Sequence, residues 1–167
     1  MIKRIPYLLL VVLMMACSSI DCPVDATVTT QYLIKNSDGT ACTLTDTMTI
    51  TSIRKDGVEV KLLDSVVYNK GVNISAFALP VSYSHPEDVL VFKFDNSDNN
   101  LHVTDTLWIK KYDYPHFESV DCNTVYFHTI TDVKYTNNYI DSIVINNSSV
   151  TYDSKTVHFY LYPKSND

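Results

Sequence analysis

The sequence is poor in the residues that build helices and ligand loops. In 167 residues there are five Ala, three Glu and one Gln, and without these strong helix formers a helical bundle is excluded. Three Gly are too few for a collagen-like repeat or for the glycine loops that cradle nucleotide phosphates. Basic residues are outnumbered, 13 Lys+Arg against 19 Asp+Glu, so nucleic acid is not expected as a partner. The four cysteines contain no C-x-x-C pair, which removes the usual zinc and redox motifs. Neither a Gly-x-Ser-x-Gly elbow nor a His-Glu-x-x-His helix is present.

Thr, Val, Ile, Ser and 12 Tyr fill the gap, and these are residues of strands. A chain that is 46% hydrophobic with a net charge of −6 is not disordered, and its length suits one core.

The N-terminus reads as an address. Met1 to Arg4 form a basic n-region, and residues 5–15 are an apolar run broken only by Pro6. Eleven residues are too short to span a bilayer as a helix, so a secretory signal peptide over residues 1–16 is expected. The run ends in Leu13-Met14-Met15-Ala16-Cys17, which resembles a bacterial lipobox. In that class the cysteine sulfur receives a diacylglyceryl group and becomes the acylated first residue after cleavage. Cys17 is therefore the expected lipidation (palmitate-type) site, and residues 17–23 a short tether. Cleavage removes Lys3 and Arg4, so 11 basic residues face 19 acidic ones, a formal charge of −8. Such a body is repelled by anionic lipid, and the acyl chains must hold it. Ser18 rather than Asp follows Cys17, so the outer membrane is expected, with its leaflet open.

With Cys17 acylated, Cys22, Cys42 and Cys122 remain, enough for one disulfide and one free thiol in an oxidising compartment. Cys22–Cys122 would close about 100 residues and contribute up to ~4.7 kcal/mol, and Cys22–Cys42 nearer ~3 kcal/mol. Energetics leave the choice open, because geometry decides which sulfurs meet.

From residue 24 to 167 the chain reads as one all-β domain. Strands are predicted at 24–35, 44–53, 58–62, 73–79, 88–95 and 101–110, around Cys122 (117–121 and 124–134), and at 139–145 and 156–162. In 44–53, Thr45, Thr47, Thr49 and Thr51 fall on one face and Met48 and Ile50 on the other. Lys55-Asp56-Gly57 is a hairpin signal. Val89 to Phe92, apolar on both faces, predicts a central strand. In 156–162, Val157, Phe159 and Leu161 face one way and His158, Tyr160 and Tyr162 the other. Eight to nine short strands with turns every 8–12 residues predict an antiparallel β-sandwich, Ig-like or jelly-roll-like.

Residues 114–162 contain PHFESVDCNTVYFHTITDV, YIDSIVINNSSVTYD and HFYLYP. With the lipobox and Cys22, these stretches resemble an uncharacterised lipoprotein family of Bacteroidota, a domain of unknown function. The resemblance implies a small extracytoplasmic β-sandwich and a disulfide between Cys22 and Cys122, leaving Cys42 free. It implies no activity. The family pattern has Gly after the later cysteine, where this chain has Asn123.

No catalytic residue, metal or cofactor is expected. His102, His128 and His158 lie in predicted strands without ligand spacing, and read as exposed strand histidines. Asp95 to Asn99 alternates oxygen ligands as a calcium loop does, but lacks its Gly and closing Glu; an Asx-rich hairpin turn needs the same residues. Trp108, Tyr112 and Tyr114 form a candidate aromatic binding surface, weighed against cross-strand packing. Asp followed by Ser or Thr and an apolar residue recurs at Asp46-Thr47-Met48, Asp64-Ser65-Val66, Asp105-Thr106-Leu107 and Asp141-Ser142-Ile143. This resembles the acceptor pattern of Bacteroidota O-glycosylation, with Thr47, Ser65, Thr106 and Ser142 as acceptors; such tripeptides also open strands. The expectation is a lipid-anchored envelope module that binds a protein or glycan partner. An envelope hydrolase is the alternative.

Overall fold

The structure is a computed structural model and describes Cys22 and residues 27–56 and 61–164. The expected signal peptide, Cys17, most of the expected tether, and the expected turn at Gly57 lie outside the described residues. Ten strands are present: β1 Thr29–Ile34, β2 Thr47–Asp56, β3 Lys61–Gly71, β4 Ala76–Pro80, β5 Glu87–Asn96, β6 Leu101–His116, β7 Val125–Tyr135, β8 Ile140–Ile145, β9 Ser149–Val150 and β10 Phe159–Pro163. They form a four-stranded sheet, β4-β1-β10-β8, and a six-stranded sheet, β3-β2-β5-β6-β7-β9. The two sheets pack as a β-sandwich, as the alternating pattern predicts.

Period-two patterning explains the packing. β1 alternates half-buried and buried residues along its length, with Tyr32 and Ile34 inward, while β2 sends Met48 and Ile50 inward and Thr47, Thr49 and Thr51 outward. Tyr32 is stacked between Phe77 (4.7 Å) and Phe159 (4.9 Å), and Phe77 meets Phe92 of the other sheet edge-on at 6.3 Å. Burial of a ring such as Phe92, which has no exposed surface, contributes about 2–3 kcal/mol. In the turn after β1, Gly39 has φ +84°, a conformation in which a side chain is strained. The Asp38 carboxylate accepts from the amide of Thr40 (2.8 Å) and closes that turn.

Several sequence expectations are corrected. The described residues form ten strands rather than eight to nine, Ser149–Val150 adding a two-residue strand, and β3 runs on to Gly71. The polar stretch Asp64-Ser65, and the two-residue length of β9, gave period-two reasoning no purchase. The sandwich is not purely antiparallel, because β1 and β10 pair in parallel, Tyr32 opposite Phe159 and Ile34 opposite Leu161. Apolar alternation carries no information on strand direction. Residues 117–121 are a loop, not a strand, with Phe117 and Val120 exposed. β6 instead continues through Pro115 to His116, since β7 pairs with it along that stretch. β5 is central as expected, but only its Leu90, Phe92 and Phe94 face is buried; Val89 and Val91 are half-buried.

Cys22 and Cys122 are joined in a disulfide, Cα–Cα 5.6 Å, and Cys42 is free and half-buried.

Candidate functional site

The inward phase of β6 does not stop at its apolar residues. Asp105, Leu107, Ile109 and Lys111 are all buried on one face, and Asp113 follows in phase. Lys111, 3% exposed, has its ammonium against both carboxylate oxygens of Asp113 (2.7 and 2.9 Å). It also donates to the carbonyls of Ser82 and His85 (2.7 Å for the latter), while its amide donates to the Pro86 carbonyl (2.9 Å). One lysine therefore holds the β4–β5 connection over the end of the large sheet.

Across β7, His128 is directly opposite Asp113. Its Nδ1–H donates to Asp113 Oδ1 at 2.6 Å; a carboxylate only accepts, so Nδ1 carries the proton. Burial lowers the imidazole below its ordinary 6.5, opposed by the bond to Asp113, so His128 is neutral near pH 7. Nearby Asp88 accepts from the Ser82 hydroxyl (2.5 Å). Burial raises its carboxyl above the ordinary 3.8, opposed by Ser82 and by the charge of Lys111. His128 also lines an open groove of about 440 Å³ with Val81, Tyr83, Asn123, Val125 and Tyr126. Tyr83 and Tyr126 stack at 4.9 Å on its side.

The outer face of β6 carries the three aromatics expected from the sequence. Trp108 is half-buried, with Val89 and Lys134 as cross-strand neighbours. Tyr112 is 73% exposed and Tyr114 40% exposed. Four residues separate Trp108 from Tyr112, about 13 Å along a strand, so Trp108 is set apart from the tyrosines. Tyr114 instead meets Phe127 edge-on (6.1 Å), which is covered by His116 (4.2 Å) and Tyr152 (4.8 Å). Glu118 accepts from both His116 and the Tyr152 hydroxyl.

The Asp-Ser/Thr-apolar tripeptides separate into different roles. Asp105 is a buried hub, accepting from the Thr136 hydroxyl (2.7 Å) and the amides of Asn138 (2.7 Å), Tyr139 (2.8 Å) and Ile140 (2.8 Å). Asp46 accepts from Asn96 (2.5 Å) and the Tyr139 hydroxyl (2.6 Å). Burial, then Asp46, pushes the Tyr139 phenol far up. In both tripeptides the Asp and the apolar residue point inward and the half-buried Thr47 or Thr106 points outward. Ser142 is half-buried on β8, and Ser65 is exposed on edge strand β3.

The expected exposed strand histidines are corrected, since His128 and His158 are each 1% exposed. His158 accepts from the Gln31 amide at Nδ1 (2.9 Å) and donates from Nε2 to the Ser149 carbonyl (3.2 Å). It thus fills a structural position between the sheets. His102 is paired with Asp95 (2.7 Å) at the other end of β6. Among the described residues no three His, Cys, Asp or Glu side chains gather as metal ligands. In the Asp95–Asn99 turn, Asp95 is taken by Lys93 (3.0 Å) and His102, and the Asn96 side-chain oxygen Oδ1 by the Asp98 amide (2.9 Å). Cys42 lines a separate open pocket of about 350 Å³ with Asp46, Tyr139 and Lys164. The ionic cluster of Asp88, Lys111, Asp113 and His128 escaped the sequence reading. The signal was the phase of Leu107 and Ile109 continuing into Lys111 and Asp113.

The molecule is thus an all-β sandwich with an ionic cluster and exposed aromatics gathered at one disulfide-tied end. Residues 57–163 match the model of a family of unknown function, DUF6452, and the chain belongs to that family. No curated protein and no solved structure matches it.

Proposed function

We propose that the chain is a lipid-anchored protein of the bacterial envelope whose β-sandwich is a binding module for a protein or glycan partner. The observation that carries the binding role is the outward projection of Tyr112 and Tyr114 from the stretch of β6 that pairs with β7 beyond the end of β5. Rings on a rigid strand lose little conformational entropy when a partner covers them. Behind them Lys111 and Asp113 lock the strand to the loop above it. The lipobox ending at Cys17, the resemblance to Bacteroidota lipoproteins, and the disulfide, at home in an oxidising compartment, support attachment to the outer membrane.

Two measurements test this. Cys17→Ala blocks acylation and releases the chain from membranes; unchanged acyl-label incorporation in that variant refutes the anchor. A photo-crosslinking residue at Tyr112, in protein made in its native host, should trap one partner. Tyr114→Ala should abolish the crosslink. Equal trapping when the crosslinker is moved to Ser97, at the opposite end of β6, refutes a specific binding face.

The second reading, an envelope hydrolase, draws on the Asp113–His128 bond, because a carboxylate that fixes an imidazole tautomer is how a general base is oriented. Covalent labelling by a broad hydrolase probe, lost in His128→Gln with the fold retained, would establish it in place of the binding reading.

A further inference from the structure

We propose that the loop from Phe117 to Cys122 rests in the headgroup region of the bilayer, with Phe117 and Val120 entering the apolar boundary. The inference depends on the reading of Cys17 as acylated and adds an orientation to it. Val120 is 97% exposed and Phe117 62% exposed. Both are apolar side chains on a turn with no packing role to explain them. Among the described residues, the exposed large hydrophobics are concentrated here. Tyr83, Tyr112, Tyr114, Phe117, Val120 and Tyr126 lie at this end, and only Val66, Val72 and Val144 lie elsewhere. Aromatic side chains with a polar tip are those favoured at the membrane–water boundary.

The disulfide keeps this loop close to the acylated residue. Cys17 and Cys22 are five residues apart, which spans at most about 18 Å. Cys122 lies 5.6 Å from Cys22 between Cα atoms, and Val120 is two residues before it. Val120 is thus held within about 30 Å of the acylated residue. β6 alone has 16 residues, about 50 Å when extended, so the far end of the sandwich cannot take the same position. Without the bridge, the free tether would run to the start of β1 at Thr29, more than twice as many residues. Of the two acids in the loop, Glu118 is turned back onto His116 and Tyr152, and Asp121 is exposed. In this pose β6 rises away from the bilayer, and its outer face stays open sideways to a partner.

The test uses the acylated full chain, reconstituted in vesicles of phosphatidylethanolamine and phosphatidylglycerol, with or without brominated acyl chains. Trp108 is the only tryptophan. In Trp108→Phe, a single reporter is placed by Phe117→Trp or, at the opposite end of β6, by Ser97→Trp. Bromination should reduce emission from the Phe117→Trp chain by about twofold and leave the Ser97→Trp chain unchanged, as a reporter at the boundary requires. Equal emission with and without bromine in a chain whose mass carries the acyl groups overturns the orientation alone. A chain from membranes whose mass carries no acyl groups overturns the anchor and the orientation together.

Discussion

Replacing Lys111 by Met tests the ionic cluster most directly. Methionine keeps the length and apolar stem of the side chain but removes the ammonium. Asp113 would keep one partner, His128, and lose its cation. The carbonyls of Ser82 and His85 would lose the donor that holds them. Breaking a buried pair by removing one partner costs about 3–5 kcal/mol, because the remaining charge is left in low dielectric. For a chain of this size each kcal/mol corresponds to about 2–4 °C, so the melting temperature should fall by about 10–15 °C. In urea, with a slope of about 2 kcal/mol/M, the midpoint should fall by about 2 M. Trp108, half-buried on the same strand, reports the transition by its fluorescence. The loss should shrink at acid pH, where Asp88, its carboxyl raised by burial, takes a proton and no longer needs the cation. It should also shrink in an Asp113→Asn background, which removes the stranded charge yet keeps an acceptor for His128, giving a coupling of about 1–3 kcal/mol. A Lys111→Met midpoint within about 0.3 M of the parent, or strict additivity with Asp113→Asn, refutes the reasoning.

Asp105→Asn should destabilise the chain by about 2–4 kcal/mol, since an amide nitrogen would confront the donors of the 136–140 segment; urea titration checks it. Burial lowers His158 and His128 below their ordinary 6.5, so the unfolded chain takes up these protons first as pH falls. Stability should therefore decline on acidification from about pH 6.5, and His158→Gln should flatten the slope between about pH 7 and 5 in denaturation curves. Peptide mapping without reductant should yield Cys22 linked to Cys122 and Cys42 alkylated. Cys122→Ser should lower stability by up to ~4.7 kcal/mol, the value for closing a loop of this length. If glycan is carried at the Asp-Ser/Thr sites, the native-host protein should exceed its polypeptide-plus-lipid mass, and Ser65→Ala should remove the largest part, because Ser65 is the exposed acceptor.

The sandwich was legible because most strands carry one apolar face: Met48 and Ile50, or Phe159 and Leu161, announce their side of the sheet without reference to any other strand. Strand ends were less legible. β6 passes through Lys111, Asp113 and Pro115, residues that read as a loop until β7 supplies pairing along the whole stretch. The parallel pairing of β1 with β10 and the contact of His158 with Gln31 join positions far apart in sequence, and nothing local encodes them. For the candidate site, Tyr112 and Tyr114 were found by type, whereas the ionic cluster depends on which polar residues fall in the inward phase. His128 looks the same in sequence whether it faces water or Asp113. Asp46 and Asp105 show the reverse: a recurrent tripeptide with a surface reading contains carboxylates that the fold uses internally.

The parallel seam between the first and last strands sets an order on folding. β1 lies between β4 and β10, and the amide of Gln31 waits for the imidazole of His158, 127 residues further on. A chain made from its N-terminus can pair β2 with β3, and β5 with β6, as soon as each hairpin emerges, because those partners are neighbours in sequence. The small sheet has no such shortcut. Its middle remains open on one side until almost the last residue is available, and closure over so long a separation is slow. Loss of the final segment 159–163 would thus leave β1 and β8 each with a bare edge facing the other. Truncated chains should persist as expanded, sticky species rather than as slightly weakened copies of the whole.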